Sequence, residues 1–338
     1  MRIGFSPRVY QLQDIRIVSM KHKTILLCGG TGLIGNRLKS FLNNAGYRVT
    51  ILSRQSNLEN VPDHFFWDPT RDFINPDAIL NANVIINLAG TSIADRRWNA
   101  KRKQDIMQSR ARSNELIYKK LTELKVKPDV FISASAIGYY GNRGDELVTE
   151  ESPPGTGFLA ETAQPWELSA RKIESLGVRT TILRIGIVFS MLGGALPKMI
   201  QPIQMMLGAP LGSGDQYMSW IHIDDVCSLF IKALTDRKWS GVYNAVSPHP
   251  VTNKELTEVL ARLLDKPLFL PNIPEFAIRT LMGEMATLIL DGTRVSSHKA
   301  EKSGFKFQFP DLEGALRDLL DTGKQSNSES AQQSVADR

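Results

Sequence analysis

A glycine-rich turn between an apolar strand and an amphipathic helix is the feature that most constrains how this chain can fold. Residues 25–28 (ILLC) form an apolar β-type run that enters the sequence GGTGLIG at residues 29–35, and apolar residues then recur at helical spacing. Gly29 permits the tight bend, Gly32 lets a pyrophosphate approach the backbone, and Gly35 lets the helix pack closely on the strand. A purely structural turn is the alternative, but strand, turn, helix and second strand follow at the spacing of a dinucleotide site. The residues predicted to hold the dinucleotide here are Gly29, Thr31, Gly32, Leu33, Ile34 and Gly35.

The end of the second strand indicates which dinucleotide is preferred. Residues 48–53 (RVTILS) form this strand, which ends at Ser53 and Arg54, with no acidic residue before Glu59. NAD sites usually place a carboxylate here to bind the ribose 2′-hydroxyl, whereas an arginine suits the 2′-phosphate of NADP. A hydroxyl beside a guanidinium is a phosphate-binding pair, because arginine supplies forked donors and keeps its charge. The sequence therefore predicts NADP as the cofactor, with a surface arginine leaving the strand as the alternative.

Composition and cysteine usage restrict the class of protein. A chain of 338 residues with 42% hydrophobic and 22% charged residues is ordinary for a soluble globular enzyme with a sizeable core. The longest apolar runs are strand-like in length, and the run at residues 182–193 is interrupted by Arg184, so no membrane contact is predicted. Cys28 and Cys227 occupy apparent core positions without a pairing or metal-ligand pattern, which predicts a reducing, cytoplasmic location and no metal site.

The positive charge is concentrated in one stretch. Residues 95–127 hold eleven Lys or Arg against four Asp or Glu, a surplus that accounts for the net charge of +6 of the whole chain. Nucleic-acid binding is one interpretation, but aromatic residues are sparse here and apolar positions recur at helical spacing. A solvated helix face with one or two contacts to a cofactor phosphate is the favoured interpretation, so no nucleic-acid partner is predicted.

Two later strands end in residues suited to a cofactor and a substrate. Residues 83–88 (NVIINL) read as a buried parallel strand and end at the small pair Ala89 and Gly90, across which a cofactor can lie.

The second of these strands, residues 130–133, leads into hydroxyl-bearing side chains. Ser135, Tyr139 and Tyr140 follow it, where hydroxyl groups beside a nicotinamide would hydrogen-bond a carbonyl or alcohol. Alternatively, the serines cap the turn and the tyrosines pack in the core. The residues alone leave both interpretations open.

The order of elements predicts a doubly wound fold with an added helical part. Strands and helices alternate through residues 23–190, which predicts an α/β Rossmann domain with a parallel sheet, to which residues 215–247 also contribute. Residues 191–214 and 248–320 are predicted to form a smaller, mainly helical C-terminal substrate domain.

The ends of the chain and the individual elements carry further expectations. Residues 1–22 are interpreted as an N-terminal extension without a secretory-signal pattern, or as a misassigned start before Met20. Residues 321–338 have almost nothing to bury and are predicted to be disordered. The sequence also predicts a strand at residues 180–188 and helices at residues 196–207, 251–264 and 273–290.

Several motifs together are similar to one known family. They are GGTGLIG at residues 29–35, SASAIGYYG at 133–141, GSGDQYMSWIHIDD at 212–225 and GFKFQFP at 304–310. The combination resembles the extended branch of the short-chain dehydrogenase/reductase superfamily, and more narrowly its atypical group named "epimerase family protein". In that group a Rossmann domain precedes a small C-terminal domain of unassigned function.

The resemblance implies roles for further residues. It assigns the glycine turn to the pyrophosphate and the end of the second strand to the 2′-phosphate. Extended relatives often dimerise through two helices, so it also implies a homodimer formed through the basic helix. The further cofactor residues that it implies are Leu88 and Ala89 beside the adenosine, Asp105 and Arg110 on the helix bordering the cofactor, and Ile187 toward the nicotinamide.

The sequence departs from the family where catalysis normally takes place. Short-chain reductases use Tyr-x-x-x-Lys on a helix, in which the lysine lowers the tyrosine pKa and holds the ribose. The corresponding helix, residues 158–172, contains no tyrosine and only Lys172 at its far end. Ser109 aligns with the asparagine that often supports proton transfer.

Three functions follow from this departure. In the first, an NADP-dependent oxidoreductase or epimerase acts on an unidentified small molecule and recruits another acid or base, for which Ser135, Tyr139 and Tyr140 are the candidates. In the second, the cofactor is bound but not turned over, and the protein senses redox state or organises a partner. The third, a nucleotide-sugar epimerase of ordinary mechanism, is disfavoured because it needs the missing tyrosine.

Overall fold

The structure is a computed structural model, and it describes residues 23–55 and 61–323. The predicted N-terminal extension, residues 1–22, lies outside the described residues. So does Glu59, the first acidic residue after the second strand.

The end of the described chain corrects one expectation. A helix over residues 312–323 continues past residue 321, because Leu312, Leu316 and Leu319 on this helix are buried in the core. The prediction of a disordered tail at 321–338 is therefore wrong for its first three residues, and the rest of it lies outside the described residues.

The described residues form fourteen strands, of which eight make one central sheet. They are β1 (Thr24–Cys28), β2 (Arg48–Ser53), β3 (His64–Asp68), β4 (Phe73–Ile74), β5 (Val84–Asn87), β6 (Val130–Ala136), β7 (Gly144–Val148), β8 (Arg179–Ile185), β9 (Ile187–Phe189), β10 (Tyr217–Met218), β11 (Trp220–His222), β12 (Gly241–Ala245), β13 (Val251–Thr252) and β14 (Thr293–Val295). The sheet order is β12-β8-β6-β5-β1-β2-β3-β4, and only β3 and β4 pair antiparallel within it.

Helices alternate with these strands along the chain. They are α1 (Leu33–Asn44), α2 (Pro76–Leu80), α3 (Ala100–Leu124), α4 (Phe158–Arg171), α5 (Leu196–Gln204), α6 (Ile223–Thr235), α7 (Asn253–Leu263), α8 (Glu275–Met282), α9 (Thr287–Leu290), α10 (His298–Lys302) and α11 (312–323). Short 3-10 turns cover Ile137–Tyr140, Lys172–Leu176 and Gly283–Ala286.

Both faces of the sheet are covered by helices. Alternate residues of β1 point to opposite sides, with Ile25 and Leu27 in one apolar cluster and Leu26 and Cys28 in the other. Helices α1 and α6 contribute to the first cluster, and α3 contributes to the second, with α4 packed beside it. A mostly parallel sheet covered on both faces is a doubly wound arrangement, which confirms the predicted α/β Rossmann fold.

The strand order reverses between β1 and β5. From β1 the sheet extends through β2 and β3 on one side, and through β5, β6, β8 and β12 on the other. The carboxyl ends of β1 and β5 meet at this point, where the Leu88 N–H donates to the Cys28 carbonyl oxygen at 2.9 Å. Doubly wound sheets bind ligands in the crevice at such a reversal. The crevice between β1 and β5 is therefore the candidate site.

Several predicted elements are shorter or divided. The strand predicted at residues 180–188 is split into β8 and β9 at Gly186, where an added Cβ would lie 2.4 Å from the Ser219 carbonyl oxygen. The helix predicted at residues 273–290 is interrupted at Gly283, whose φ is +61°. Two other predicted helices, at residues 196–207 and 251–264, are shorter and form α5 and α7.

The C-terminal residues are mainly helical and pack against the central sheet region. Strand β14 pairs with β7, and the Ser219 hydroxyl donates to the Thr293 carbonyl oxygen at 2.7 Å. The buried Asp225 carboxylate accepts the N–H groups of Gln308 and Phe309 at 2.8 and 2.9 Å. These contacts fix β14 to β7 and residues 308–309 to α6. The exact division into two domains remains a prediction.

Candidate functional site

The glycines of the turn after β1 differ in how closely other atoms approach them. Gly29 has a φ of +78°, and an added Cβ would lie 2.9 Å from the Leu88 carbonyl atoms. An added Cβ on Gly35 would lie 2.2 Å from the Gly29 carbonyl oxygen. At Gly32, φ is −78° and an added Cβ would lie 3.4 Å from that oxygen, which is ordinary contact. The fold therefore requires glycine at positions 29 and 35, whereas Gly32 leaves an open approach to the backbone.

The N-terminus of α1 faces this open approach. Within the described residues no side chain caps α1, and its first turn contains no acidic residue. Thr31 and Gly32 are exposed, whereas Leu33 and Ile34 are half-buried. Because the first N–H groups of a helix have no intrahelical partner, an uncapped N-terminus with its positive dipole end binds anions.

Ser53 and Arg54 lie together at the carboxyl end of β2. The Ser53 hydroxyl is buried and accepts the N–H of Gln55 at 3.1 Å. Arg54 is exposed and forms no ion pair with any described residue. Its guanidinium is thus available to an anion from outside the described chain.

The loop after β5 crosses in front of the glycine turn. The Ala89 N–H donates to Asn87 Oδ1 at 3.0 Å, which fixes the first bend after the strand. Gly90 is exposed, and an added Cβ there would lie 3.2 Å from the Arg110 side chain. Leu88, Ala89 and Gly90 therefore run between the turn and α3, and Arg110 packs directly on this loop.

Arg110 is a half-buried cation without a carboxylate partner among the described residues. Its Nη1 donates to the carbonyl oxygens of Thr91 and Ile106 at 2.9 and 3.0 Å, and its guanidinium carbon lies 5.1 Å from the Trp166 ring centroid. Burial and the nearby charge of Arg102 lower the pKa of Arg110 to about 10, so it stays protonated at pH 7. A cation held only by neutral groups beside the crevice is suited to a phosphate.

Asp105 and Ile187, the other two cofactor residues that the resemblance implies, lie in different environments. Asp105 is exposed on α3 and forms no hydrogen bond with a described residue. Ile187 is half-buried at the start of β9, and its N–H donates to the Ser219 carbonyl oxygen at 2.9 Å. Their contacts with a cofactor remain predictions.

Ser135 and Tyr140 belong to a buried hydrogen-bond network. The Ser135 hydroxyl donates to Glu167 Oε1 at 2.7 Å, and Arg184 binds the same carboxylate with two N···O distances of 2.8 and 2.9 Å. The Tyr140 hydroxyl accepts from Arg184 Nη1 at 2.9 Å and donates to Asn244 Oδ1 at 2.6 Å. All five side chains are buried. The network joins β6, α4, β8 and β12.

Two of the three hydroxyl groups predicted to be catalytic, those of Ser135 and Tyr140, form hydrogen bonds within this network. Burial, opposed by the nearby Arg184, raises the pKa of Tyr140 to about 12, so the phenol is protonated at pH 7. Its single proton is directed at Asn244. The geometry therefore gives Tyr140 and Ser135 a role in holding the network together and does not favour the catalytic role predicted for them.

Tyr139 differs from its neighbour. Its ring lies against Arg184, with the guanidinium carbon 3.5 Å from the ring centroid, and meets the Tyr140 ring edge to face. Tyr139 is half-buried, and its hydroxyl forms no hydrogen bond with a described residue. Of the three predicted catalytic side chains, Tyr139 is the one whose hydroxyl has no hydrogen-bond partner in the described part of the chain.

Helix α4 does not replace the missing Tyr-x-x-x-Lys pair. Its first turn places Leu159 against the segment bearing Tyr139, since an added Cβ on Gly138 would lie 3.0 Å from the Leu159 Cβ. Lys172 follows the last residue of α4 and lies 3.5 Å from a Glu115 carboxylate oxygen. Lys172 is the one lysine of the helix predicted over residues 158–172. It is therefore paired with Glu115 at the C-terminal end of that helix.

The sequence did not predict which buried polar side chains form hydrogen bonds with one another. The Asn87 side-chain amide donates to Ser113 and to Asn114 at 2.9 and 2.6 Å, and Asn114 donates to Ser169 at 3.1 Å. One signal was available for such groups, because Arg184 is a charged residue inside an apolar strand and buried charges require partners. The partners themselves carry no comparable signal.

His222 is a buried N-cap rather than part of the crevice. Its Nδ1 accepts the N–H of Asp224 at 3.1 Å, and its ring stacks on Phe309 with centroids 3.8 Å apart. The Nε2 lies 3.5 Å from an Asp318 carboxylate oxygen. Burial lowers the pKa of His222 to about 4, so the imidazole is neutral at pH 7.

Lowering the pH is expected to destabilise the protein through His222. Its pKa falls from 6.5 to about 4 on folding, so the unfolded chain binds more protons between these values and stability decreases as the pH falls through them. The loss assigned to His222 between pH 7 and pH 5 is about 2 kcal/mol. In His222→Asn, which keeps a capping oxygen, urea unfolding at both pH values should show that this loss is absent.

The comparison must be made between variants, because Asp225 acts in the opposite direction. Burial raises the pKa of Asp225 to about 6, so its contribution to stability grows as the pH falls below 6. His298→Asn, at an exposed histidine, is the control and should keep the wild-type pH dependence. Equal pH dependence in wild type and His222→Asn would contradict the assignment.

The described residues contain neither a metal-ligand cluster nor a membrane-spanning helix. No group of three or more metal-ligating side chains that could hold a metal ion occurs among residues 23–55 and 61–323. No helix in this part of the chain is long and apolar enough to cross a membrane.

The doubly wound sheet, the glycine turn at its reversal point and the uncapped helix that follows define a Rossmann-type protein of the nucleotide-binding class. Residues 25–245 match the NAD dependent epimerase/dehydratase family, and residues 273–319 match a domain of unknown function, DUF1731. The chain belongs to the NAD dependent epimerase/dehydratase family. Its resemblance to the "epimerase family protein" group of short-chain dehydrogenases/reductases is confirmed.

Known relatives cover most of the chain. Epimerase family protein YfhF of Bacillus subtilis is 37% identical over 300 residues, which are 88% of this chain and 97% of the relative. The chloroplastic epimerase family protein SDR39U1 homolog of Arabidopsis thaliana is 35% identical over 308 residues, covering 88% and 86% of the two chains. The crystal structure of human epimerase family protein SDR39U1 with NADPH superposes with a TM-score of 0.78 at 29% identity, covering 88% of this chain and 98% of that one.

Proposed function

We propose that the protein binds NADP(H) in the crevice between β1 and β5 and acts as an atypical short-chain oxidoreductase or epimerase-like enzyme on a small molecule not yet identified. The observation that carries this proposal is the uncapped N-terminus of α1 behind the glycine turn. Two cations that lack carboxylate partners in the described chain, Arg54 and Arg110, flank the same crevice. The NADPH present in the human relative's structure supports the choice of dinucleotide.

The chain's own residues suggest how such a reaction would be supported. A bound nicotinamide supplies hydride chemistry. Tyr139 would hold or donate the proton at the carbonyl or alcohol oxygen of the substrate, because its hydroxyl is unengaged by described residues. Arg184, stacked on the Tyr139 ring at 3.5 Å, would hold that ring in place.

A second function, a non-catalytic NADP(H)-binding sensor or scaffold, is favoured by a separate observation. Ser135 and Tyr140 are occupied by the buried network, and α4 provides neither member of the usual Tyr-x-x-x-Lys pair. Retention of the cofactor crevice without that pair suits a protein that binds the dinucleotide and does not turn it over.

Turnover assays decide between these two functions. The NADPH complex is mixed with a panel of aldehydes, ketones and quinones while NADPH absorbance is followed. The enzyme proposal expects turnover that Tyr139→Phe abolishes and Tyr140→Phe, which removes the neighbouring buried hydroxyl, reduces far less per folded molecule. Tight binding without turnover across the panel would favour the sensor or scaffold.

Arg54→Ala is expected to remove the preference for NADPH. The guanidinium would otherwise bind the 2′-phosphate by charge-assisted hydrogen bonds, so its loss should raise the Kd for NADPH by about ten- to a hundredfold and leave the Kd for NADH unchanged. Fluorescence titration with both dinucleotides measures this. Arg71→Ala, at another exposed arginine, is the control. An unchanged NADPH Kd in Arg54→Ala would show that the phosphate lies elsewhere.

A cytoplasmic location and a homodimer through α3 complete the proposal. Cys28 and Cys227 are free and buried, and burial raises the pKa of both thiols, which suits a reducing compartment. Cell fractionation and sedimentation velocity of the purified protein test these two points. A monomer at micromolar concentration would contradict the homodimer.

A further inference from the structure

One segment of the C-terminal region has few buried contacts. We define residues 275–290, which comprise α8, the 3-10 turn and α9, as the flap. Within it the buried residues are Ile278, Met285 and Ala286, whereas Phe276 and Leu281 are 74% and 77% exposed. A segment with so little buried apolar surface opens locally at low free-energy cost.

The C-terminal end of the flap, together with residues 291–292 that follow it, is here called the root. It lies beside the segment that follows Tyr139. The Arg143 N–H donates to the Gly292 carbonyl oxygen at 2.9 Å, and the Gly292 N–H donates to Asn142 Oδ1 at 3.2 Å. The Gln216 side-chain amide donates to the Ile289 carbonyl oxygen at 3.0 Å. Strand β14 then follows and is fixed by its pairing with β7. The root is therefore anchored to residues 142–143, which follow the 3-10 turn after β6, and to Gln216.

The tip of the flap, defined as residues 280–284, contacts the segment that leads from β5 into α3. Lys103, on the first turn of α3, forms an ion pair with Glu284 at 2.6 Å, and Arg97 donates to the Thr280 carbonyl oxygen at 3.4 Å. The Lys103 ammonium also lies 5.6 Å from the centroid of the Phe158 ring at the start of α4. These contacts join the tip to residues that follow β5.

We infer that the flap closes over the carboxyl ends of β5 and β6 and that the Lys103–Glu284 ion pair, here called the clasp, holds it shut. A cavity of about 590 Å³ lies between the tip, α3 and α4 and includes Gln104, Met107 and Glu161 in its lining. The clasp is the weak point of the closure, because both side chains are solvent-accessible and exposed ion pairs contribute little. The inference rests on the proposed function, since the flap would control entry to the crevice that holds the dinucleotide and its substrate.

Charge reversal tests the clasp in the full-length protein. Hydrogen exchange measured by mass spectrometry should show flap amides exchanging about two- to fivefold faster in Lys103→Glu and in Glu284→Lys, with the wild-type rate restored in the double exchange variant. Lys119→Glu breaks the ion pair between Lys119 and Asp72 farther along α3, and it should leave flap exchange unchanged. Equal flap exchange in all variants would overturn the clasp.

Release of NADPH tests whether the flap controls the crevice. Stopped-flow displacement should give NADPH release about two- to fivefold faster in each single clasp variant and at the wild-type rate in the double variant. Faster flap exchange with unchanged NADPH release would overturn the gating role. Failure of the wild type to bind NADPH would overturn the proposed function itself, whereas hydrogen exchange of the free protein would still report on the clasp.

Discussion

Replacing Gly35 with alanine is expected to lower the free energy of unfolding by about 3 kcal/mol or more and to abolish NADPH binding. The added Cβ would lie 2.2 Å from the Gly29 carbonyl oxygen and 2.7 Å from the Gly30 Cα. Both are backbone atoms of the turn, so no side chain can move aside to relieve the contact. Helix α1 would have to shift away from β1, and the N–H groups at its N-terminus would leave the crevice.

Gly32→Ala provides the matched control for this prediction. Its added Cβ would be 3.4 Å from the nearest atom, and its φ of −78° suits any residue, so its stability should remain within about 1 kcal/mol of wild type. The same methyl group projects into the approach to the helix N-terminus and should weaken NADPH binding strongly. Urea unfolding and NADPH titration of both variants separate the two effects. A Gly35→Ala variant of wild-type stability would contradict the packing argument.

Replacing Arg184 with methionine is expected to cost about 3–5 kcal/mol of stability. The buried Glu167 carboxylate would keep the Ser135 hydroxyl but lose two charged hydrogen bonds from the guanidinium. The Tyr140 hydroxyl would lose a donor in the same change, and the Tyr139 ring would lose the guanidinium packed on it. Denaturant unfolding at pH 7 measures the loss.

Two further variants make this prediction specific to a buried charge. Arg184→Met combined with Glu167→Leu removes both charges, so it should be more stable than Arg184→Met alone, since no unpaired carboxylate is left in the core. Arg48→Met breaks the exposed ion pair between Arg48 and Asp63 and should cost less than about 1 kcal/mol. If Arg184→Met cost no more than Arg48→Met, the network would not support the fold as described.

The part of the fold that local sequence determines was predicted well. The apolar run before Gly29 and the helical spacing after Gly35 correctly predicted β1 and α1, because strand and helix periodicity are local properties. The alternation of such units correctly predicted a parallel, doubly wound sheet. The predicted element boundaries were wrong where a glycine contacts backbone that is distant in sequence, as at Gly186, which lies against Ser219.

The roles of the hydroxyl groups near β6 were harder to predict for a physical reason. Hydroxyls at the end of β6 and just after it are equally compatible with a reactive site and with a buried network, and the difference lies in partners that are distant in sequence. Tyr140 bonds Asn244, which lies 104 residues away, and Asp225 holds the backbone of Gln308, which lies 83 residues away. The residues around Asn244 and Gln308 show no local sequence pattern that predicts these contacts.

Fluorescence titration of the wild-type protein with NADPH, beside an identical titration with NADH, tests the central claim most directly. An uncapped helix N-terminus at the glycine turn, with Arg54 and Arg110 beside it, predicts saturable NADPH binding at least about tenfold tighter than NADH binding. Absence of NADPH binding, or a preference for NADH, would contradict the assignment of the crevice as an NADP(H) site.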